Sequence, residues 1–399
     1  MKIDKEGERL NYRFENFGGI IANNDPPFLA FVDRNYMREL GLGESELWHT
    51  SDESIGLLSA PTEVHFSITE RCSVRCKHCY VDAGEQTPGE LDIEKLKRAL
   101  DILSGMKVFH IAFAGGDAME RPELFELAQY ARSKCIIPNY TVSGINMNAE
   151  VAQKMRIFGQ VNVSIDGVGE KYGALRPQRI FKLADKAVDL LVEAGVPTGI
   201  NCLVSRRTFE GIEELFKYAK TKKINHISFL RFKPAGRARR FYEKEKITNQ
   251  QIKNLMPMLR GLSAKYKLNI KTDCSFMPMI CYHRPPLDSF ETITSYGCEA
   301  GNVLMGMKSN GQVTACSFLN NAPTISIFDL QSAMRNHNCF EKIRNWTKTA
   351  IEPCKSCEYL NICKGGCHGV AEYITGSFYK PDPECPFVTE YADKHNITI

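Results

Sequence analysis

"ITERCSVRCKHCYVDAG", residues 68–84, follows a short β-rich run and sets Cys72, Cys76 and Cys79 within eight residues. The spacing C-x3-C-x2-C on an irregular loop lets three thiolates converge on one small object. A closed zinc or iron–sulfur site takes four ligands, so the fourth place decides the chemistry. A four-iron cube held by three thiolates keeps one iron free for a small ligand with hard donor atoms, such as an amine and a carboxylate. The competing reading is a Cys3His zinc site with His78 as fourth ligand, cramped between Cys76 and Cys79.

The chain has 399 residues, room for two or three domains. Its 43% hydrophobic and 25% charged content is that of an ordinary globular protein. A net charge of +4 gives little reason to expect nucleic acid or membrane partners, and neither is expected. The start, "MKIDKEGERLNYRFENFGG", is charged at once with no apolar signal core, and no stretch approaches the ~18–20 apolar residues of a membrane helix. A cytoplasmic protein is expected, with reduced thiols. Fifteen cysteines then need another explanation than disulfides. Three lie at 72–79, Cys135 and Cys202 stand alone, and ten lie between 274 and 385. Soft thiolates in clusters select zinc, copper(I) or iron–sulfur.

Outward from the cysteine loop, six β-rich runs alternate with helical patterns. The runs are 62–68, 107–113, 139–143, 160–166, 198–204 and 225–231; the helical patterns include 92–106, 123–134, 180–196 and 208–222. Such alternation predicts a parallel sheet, an open sheet or partial barrel of six units, with its site at the C-terminal ends of the strands. The loops after the first, second, third, fourth and sixth strands therefore converge on one face. Residues 1–60 suggest two short strands and a helix, and 245–265 one more helix. The segment from about 290 to 390 has few periodic runs and needs staples in place of a large core.

Three cysteines at this spacing, followed by Tyr80 and placed after the first strand of a β/α series, resemble the radical S-adenosylmethionine (SAM) superfamily over about 62–235. The resemblance implies a four-iron cluster on Cys72, Cys76 and Cys79, whose open iron chelates SAM. One electron then cleaves SAM to a 5′-deoxyadenosyl radical that abstracts a hydrogen atom; the cofactors supply the hard chemistry and the protein orients them. "AFAGGDAMERPEL" is similar to the Gly-Gly-Glu motif that receives the SAM amino group, here Gly115, Gly116 and Asp117, with Asp for the usual Glu. "TVSGIN" stands where the family has Thr-Asn-Gly, with Ser143 for Asn. "NVSIDG" resembles Ser-x-Asp-Gly, implying that Ser164 holds SAM and Asp166 faces the cavity. Arg176 matches an Arg that can reach the SAM carboxylate, as its planar fork suits. "LRFKPAGRARR" contains a Pro-x-Gly-Arg found in part of the family. Its Arg231, Lys233, Arg237, Arg239 and Arg240 read either as a rim for an acidic substrate or as a solvated charged face.

The C-terminal cysteines follow C-x12-G-x4-C (Cys298, Gly311, Cys316), then C-x2-C-x5-C-x3-C (Cys354, Cys357, Cys363, Cys367), then Cys385. Taken alone, the paired cysteines also read as zinc ribbons. Together they resemble the SPASM domain, which holds auxiliary iron–sulfur clusters. By that resemblance Cys354, Cys357, Cys363 and Cys385 hold an outer cluster, and Cys298, Cys316 and Cys367 an inner one. The inner cluster's fourth ligand is Cys281 or Cys274, or the iron stays open to substrate. Sulfatase-maturing members carry Asp after the equivalent of Cys316, where this chain has Ser317. Cys135, Cys202 and Cys339 lack ligand spacing and read as buried apolar groups.

The expected architecture is α/β: an N-terminal region (1–60) that could contact a peptide, a partial (β/α)6 radical SAM core (61–240), a linking helix and strand (241–290) and a SPASM domain (291–399). The expected activity is radical SAM oxidation or crosslinking of a peptide, with two auxiliary clusters that the resemblance implies are of the [4Fe-4S] type, and flavodoxin or ferredoxin as reductant. The same chemistry on a tetrapyrrole or other small molecule is the alternative. A non-catalytic zinc or electron-transfer protein is the reading from a different class.

Overall fold

The structure is a computed structural model and describes residues 10–24, 27–49, 56–293, 296–319, 321–335 and 340–397. Its first sheet is antiparallel, in the order β1 (Asn11–Glu15), β2 (Gly18–Asn24) and β3 (Pro27–Asp33). The sequence predicts two strands here. The third arises because the pairing of β2 with β3 runs to Asn24↔Pro27, so one apolar stretch folds back on itself. A helix, Arg34–Glu39, follows directly, headed by Asp33, whose side chain accepts from Tyr36 N.

Next come β4 (Glu63–Thr69), β5 (His110–Gly115), β6 (Ile137–Val142), β7 (Val161–Ser164), β8 (Thr198–Val204) and β9 (His226–Arg231). These are the six expected strands, each pairing in parallel with the next. The intervening helices include Ile93–Gly105, Leu124–Ser133, Phe181–Glu193 and Ile212–Thr221. The fold is therefore the predicted α/β class with a parallel sheet.

The sheet is wider than six strands. The helix Asn249–Tyr266, started by a Thr248–Gln251 capping box, leads into β10 (Asn269–Thr272), parallel to β9. At the opposite edge β11 (Leu304–Met307) pairs in parallel with β4, followed by antiparallel β12 (Gln312–Thr314) and β13 (Thr324–Ser326). The strand order is β10-β9-β8-β7-β6-β5-β4-β11-β12-β13. These added strands are only three or four residues long, too short for a pattern of alternation to announce them. Through them the cysteine-rich segment reaches the main core: Met305, Met307 and Val313 pack in one cluster with Phe66 of β4 and Leu100 of the first crossover helix. Elsewhere the segment has only small apolar clusters, as around Tyr359 and around Ala315.

A buried ion pair joins the last predicted strand to the C-terminus. Arg231 ends β9 and is 2% exposed. Its Nη1 donates to Asp382 Oδ2 at 2.5 Å and its Nη2 to Asp382 Oδ1 at 3.0 Å and Glu384 Oε2 at 2.6 Å. Nη1 also donates to Ser275 O at 2.9 Å, and Tyr242 Oη donates to Glu384 Oε1 at 2.6 Å. Removing one partner of such a group strands the other charges without water. Arg231→Ala is expected to destabilise the apoprotein by about 3–5 kcal/mol, measured as the shift in its denaturant unfolding midpoint; an unchanged midpoint would refute this.

Candidate active site

The cysteine loop begins where β4 ends. Its base is closed by backbone hydrogen bonds from Cys72 N to Gly84 O (2.8 Å) and Gly84 N to Glu70 O (2.9 Å). Arg75 and Asp82 take left-handed φ values of 61° and 55°, which turn the chain sharply between these ends. Ala83 N donates to Cys79 Sγ at 3.2 Å. Burial pushes the Cys72 thiol up to about 11, and Asp117 and Cys76 add to the shift. Burial also raises Cys76, opposed by the Arg176 guanidinium. Thiols held neutral in this way become ligands only when a metal displaces the proton.

The loop after β5 packs under the cysteine loop. A Cβ on Gly116 would lie 2.0 Å from Arg71 O, and one on Gly115, at φ +102°, would lie 2.3 Å from Thr69 O. These glycines allow backbone to meet backbone. Asp117 follows, buried, and its N–H donates to Arg71 O at 2.9 Å. Tyr140 Oη donates to Asp117 Oδ1 and Ser143 Oγ to Oδ2, each at 2.5 Å, while Met119 N donates to Oδ1 at 3.1 Å. Burial raises the Asp117 pKa, and these hydrogen bonds oppose the rise.

The loops after β7 and β8 close the other side. Ser164 ends β7 and is buried. Asp166 Oδ1 accepts from Leu203 N at 2.8 Å, and its Oδ2 accepts from Arg176 Nε at 2.6 Å. Arg176 Nη1 lies 3.5 Å from Cys76 Sγ, tying this loop to the cysteines. His78 Nε2 is 3.8 Å from Asp166 Oδ2, and its Nδ1 is buried with no hydrogen-bond partner among the described residues. Burial, reinforced by Arg176, lowers the His78 pKa to about 4, so the ring is neutral near pH 7.

The basic stretch after β9 is mostly internal, which corrects the reading of a continuous rim or solvated face. Arg231 is taken by Asp382 and Glu384; Lys233 is buried and paired with Asp273. Arg237 holds the cysteine loop itself. Its Nη1 donates to Cys76 O at 2.7 Å, its Nη2 to Ala83 O at 2.5 Å and its backbone N to Cys79 O at 2.8 Å. Gly236, at φ +54°, makes this approach possible, since its Cβ would stand 2.4 Å from Tyr80 O. Only Arg239 and Arg240 are exposed among these five. The Pro-x-Gly-Arg motif was legible, yet nothing in its composition tells a clamp from a charged face.

The C-terminal cysteines separate into two groups. Cys354, Cys357, Cys363 and Cys385 line one cavity, together with Cys281. Burial pushes the Cys298 thiol up, and the neighbouring thiols of Cys274, Cys316 and Cys367 push it further. Cys274 is exposed, yet burial is the first cause raising its thiol, and Cys316 and Cys367 also contribute. Tyr80 links the two ends of the molecule: its ring centroid is 4.7 Å from that of Phe318, two residues beyond Cys316. Cys202 is buried as expected, whereas Cys135 is exposed. Cys135 takes a left-handed φ of 59° just after a helix, which turns Ile136 inward in its place. Cys339 lies outside the described residues.

Residues 66–219 match the radical SAM superfamily. The chain carries a radical SAM domain. It is an enzyme of that superfamily. Mycofactocin maturase MftC of Mycobacterium tuberculosis is 27% identical over 343 residues, covering 82% of this chain and 83% of the relative. The AdoMet-dependent heme synthase of Methanosarcina barkeri is 25% identical over 349 residues, covering 83% and 98%. The fold is similar to that of Streptococcus suis SuiB, solved bound to S-adenosylmethionine, with a TM-score of 0.73, 18% identity and coverage of 97% and 100%.

The superfamily implies SAM and a four-iron cluster, and the donor set suits them. Among the described residues, no three or more His, Cys, Asp or Glu are gathered as one metal ion requires. Three soft thiolates on one loop are the donor type that holds an iron–sulfur cube. No described helix of this radical SAM enzyme is long and apolar enough to cross a membrane. The loop packing gives a direct test. Gly116→Ala forces a Cβ into the Arg71 carbonyl and is expected to cost the first site its roughly four irons, read by iron analysis after anaerobic reconstitution. Retention of full iron would show that the cysteine loop does not depend on this contact.

Proposed function

We propose that this radical SAM enzyme modifies a peptide by an oxidative crosslink or another oxidation. The observation that carries the radical SAM site is the interlock of its loops: Arg176 spans Cys76 Sγ and Asp166, while Asp117 sits against Arg71 of the cysteine loop. Cys72, Cys76 and Cys79 would hold the SAM cluster. Bound there, the reduced cluster and SAM supply a radical that takes a hydrogen atom from the substrate.

Asp117 is suited to receive the SAM ammonium. A carboxylate offers about four acceptor positions; Tyr140, Ser143 and Met119 N occupy three, leaving one on Oδ2. Arg176 would reach the SAM carboxylate from its seat on Asp166, with Ser164 and Tyr80 lining the same end of the sheet. The outer four thiols, Cys354, Cys357, Cys363 and Cys385, would hold one auxiliary cluster. Cys298, Cys316 and Cys367 would hold the other, with Cys274 rather than Cys281 as fourth ligand. A cluster there could take the electron that an oxidised product must give up, or hold a substrate thiolate if one iron is open. A flavodoxin or ferredoxin would deliver the initiating electron in the cytoplasm.

The peptide reading draws on two relatives. MftC is named a maturase, and SuiB was also solved bound to its precursor peptide SuiA, a structure with a TM-score of 0.72 to this one. In residues 1–60, β1 and β3 are both edge strands of their sheet, where an extended peptide could add. The heme synthase relative favours the tetrapyrrole alternative. Against it, Arg231, Lys233 and Arg237 are already engaged internally and cannot greet a polycarboxylate.

Anaerobic reconstitution with iron and sulfide is expected to load about twelve irons, four per cluster, and dithionite with SAM to yield 5′-deoxyadenosine. Cys76→Ala should abolish deoxyadenosine while keeping about eight irons. Zinc in place of iron, with no SAM cleavage, would overturn the proposal. A peptide losing two hydrogens by mass spectrometry favours the first reading; turnover of a tetrapyrrole alone favours the second. Cys274→Ala should change the inner cluster's electron paramagnetic resonance spectrum, and an unaltered spectrum would remove Cys274 from its ligands.

A further inference from the structure

The inner face of the parallel sheet is polar. Residues at period two, such as Val64 and Phe66 of β4, Ile111 of β5, Ile200 of β8 and Ile227 of β9, pack outward in the main core. Their alternates meet one another across the strands on the opposite face. Asn162 Nδ2 donates to Asn201 Oδ1 at 2.8 Å, and Asn201 Nδ2 to Thr141 Oγ1 at 3.0 Å. His226 Nε2 and Ser228 Oγ share a hydrogen bond of 2.9 Å. The sheet curls around this face. Ser317 Oγ lies 3.4 Å from His65 Nδ1 of β4, while Lys233, just beyond β9, has its Nζ 4.3 Å from the ring centroid of Phe318. Thus β4 and β9 stand on opposite sides of one polar lumen.

One cation in this lumen stands alone. On β10, Ile270 packs on the outer core in register with Ile227, so Lys271, next in the chain and in register with Ser228, projects inward. The register row runs Ser164, Asn201, Ser228, Lys271. Lys271 is therefore level with the Ser164 end of the sheet, where SAM is proposed to bind, and roughly 14 Å from it along the row. Lys271 is exposed, and among the described residues it has no ion pair or hydrogen bond. Asp273, two residues on, is taken by Lys233, and Glu63 stands 3.7 Å from His65 Nε2. Burial lowers the pKa of His65, His110 and His226; Glu63 opposes this at the first two, Lys233 adds to it at His65, and Lys271 adds to it at all three. The ammonium thus faces rings that are neutral near pH 7 and that supply no counter-charge. We propose that Lys271 seats one carboxylate of the substrate inside the lumen, with Ser228 and His226 as uncharged hydrogen-bond partners. One ammonium balances one carboxylate, whereas a phosphate monoester brings a larger charge and a porphyrin several carboxylates. The carboxylate belongs to the peptide of the reading given above, on which this seat rests, as its C-terminus or as an Asp or Glu side chain.

The test is lysine footprinting of the reconstituted holoenzyme at constant ionic strength: reductive methylation, read at each lysine by peptide mass spectrometry. Only a deprotonated amine reacts, so an ammonium held by a carboxylate is shielded. N-acetylglycine carries a main-chain carboxylate, N-acetylaspartate α-amide a side-chain one, and N-acetylglycinamide none. A carboxylate probe is expected to slow methylation of Lys271 in a saturable way, by about tenfold at roughly ten times its Kd. Lys267, exposed four positions earlier, should keep its rate, and N-acetylglycinamide should protect neither lysine. Stronger protection by the first or the second probe supports the seat and names the source of the carboxylate. Unchanged Lys271 methylation with both carboxylates overturns the inference, as does protection by inorganic phosphate alone; a peptide that still loses two hydrogens then leaves the peptide reading standing. Carboxylate protection with no peptide turned over overturns the peptide reading and keeps the seat.

Discussion

The arrangement of the two halves depends on one guanidinium. Arg231 is placed by the parallel sheet, because it ends β9, yet its partners belong to "PDPEC", next to the last cysteine. Asp382 serves both sides: its Oδ2 accepts from Arg231 and from Cys367 N at 2.9 Å. An ion pair this deeply buried is poor value as stability alone, since desolvation offsets most of its attraction. Its worth here is specificity. Only one register of the C-terminal segment satisfies the fork of Arg231, and that register sets Cys367 and Cys385 against the cysteines that precede them. The same carboxylates leave Arg231 no freedom to meet a substrate.

A second cation does the equivalent work at the other site. Arg237 takes two carbonyls of the cysteine loop by its guanidinium and a third by its backbone N–H. Loops at the end of a strand usually keep their carbonyls for water. Here the carbonyls of Cys76, Cys79 and Ala83 are taken from within, and the loop holds its shape without a core of its own. Arg176 approaches from the opposite side, at the sulfur of Cys76. The cationic surroundings also suit a site that must gather thiolates, since each stabilises negative sulfur.

Much of this was legible in the sequence, and the reasons are particular. The six strands declared themselves because β-rich runs alternated with amphipathic helices, and the fold class followed. The meeting of Cys72, Cys76 and Cys79 could be read from their spacing on one loop, whereas the grouping of the C-terminal cysteines came only from the resemblance to the SPASM domain. What was not legible depended on contacts distant in sequence. Cys274 and Cys281 are seven positions apart and look interchangeable. A 3₁₀ turn and a short helix aim them at different sites. The basic stretch after β9 looked like a surface because charge composition carries no information about partners 150 residues away. Cys135 looked like a small core residue, but a left-handed turn placed it outside.

The two departures from the Gly-Gly-Glu and Thr-Asn-Gly patterns resolve into one change. Asp117 and Ser143 lie in loops after neighbouring strands, β5 and β6, and their side chains meet directly, Oγ to Oδ2. A carboxylate shortened by one methylene stands further from the space in front of the sheet. The shorter Ser143 and the hydroxyl of Tyr140 fill the gap and fix both carboxylate oxygens. Restoring either longer side chain alone would press it against the partner left short or leave a buried donor unpaired. Each position read singly weakens the likeness to the family. Read as a pair, their side chains close on each other, which is consistent with the ammonium seat proposed for Asp117.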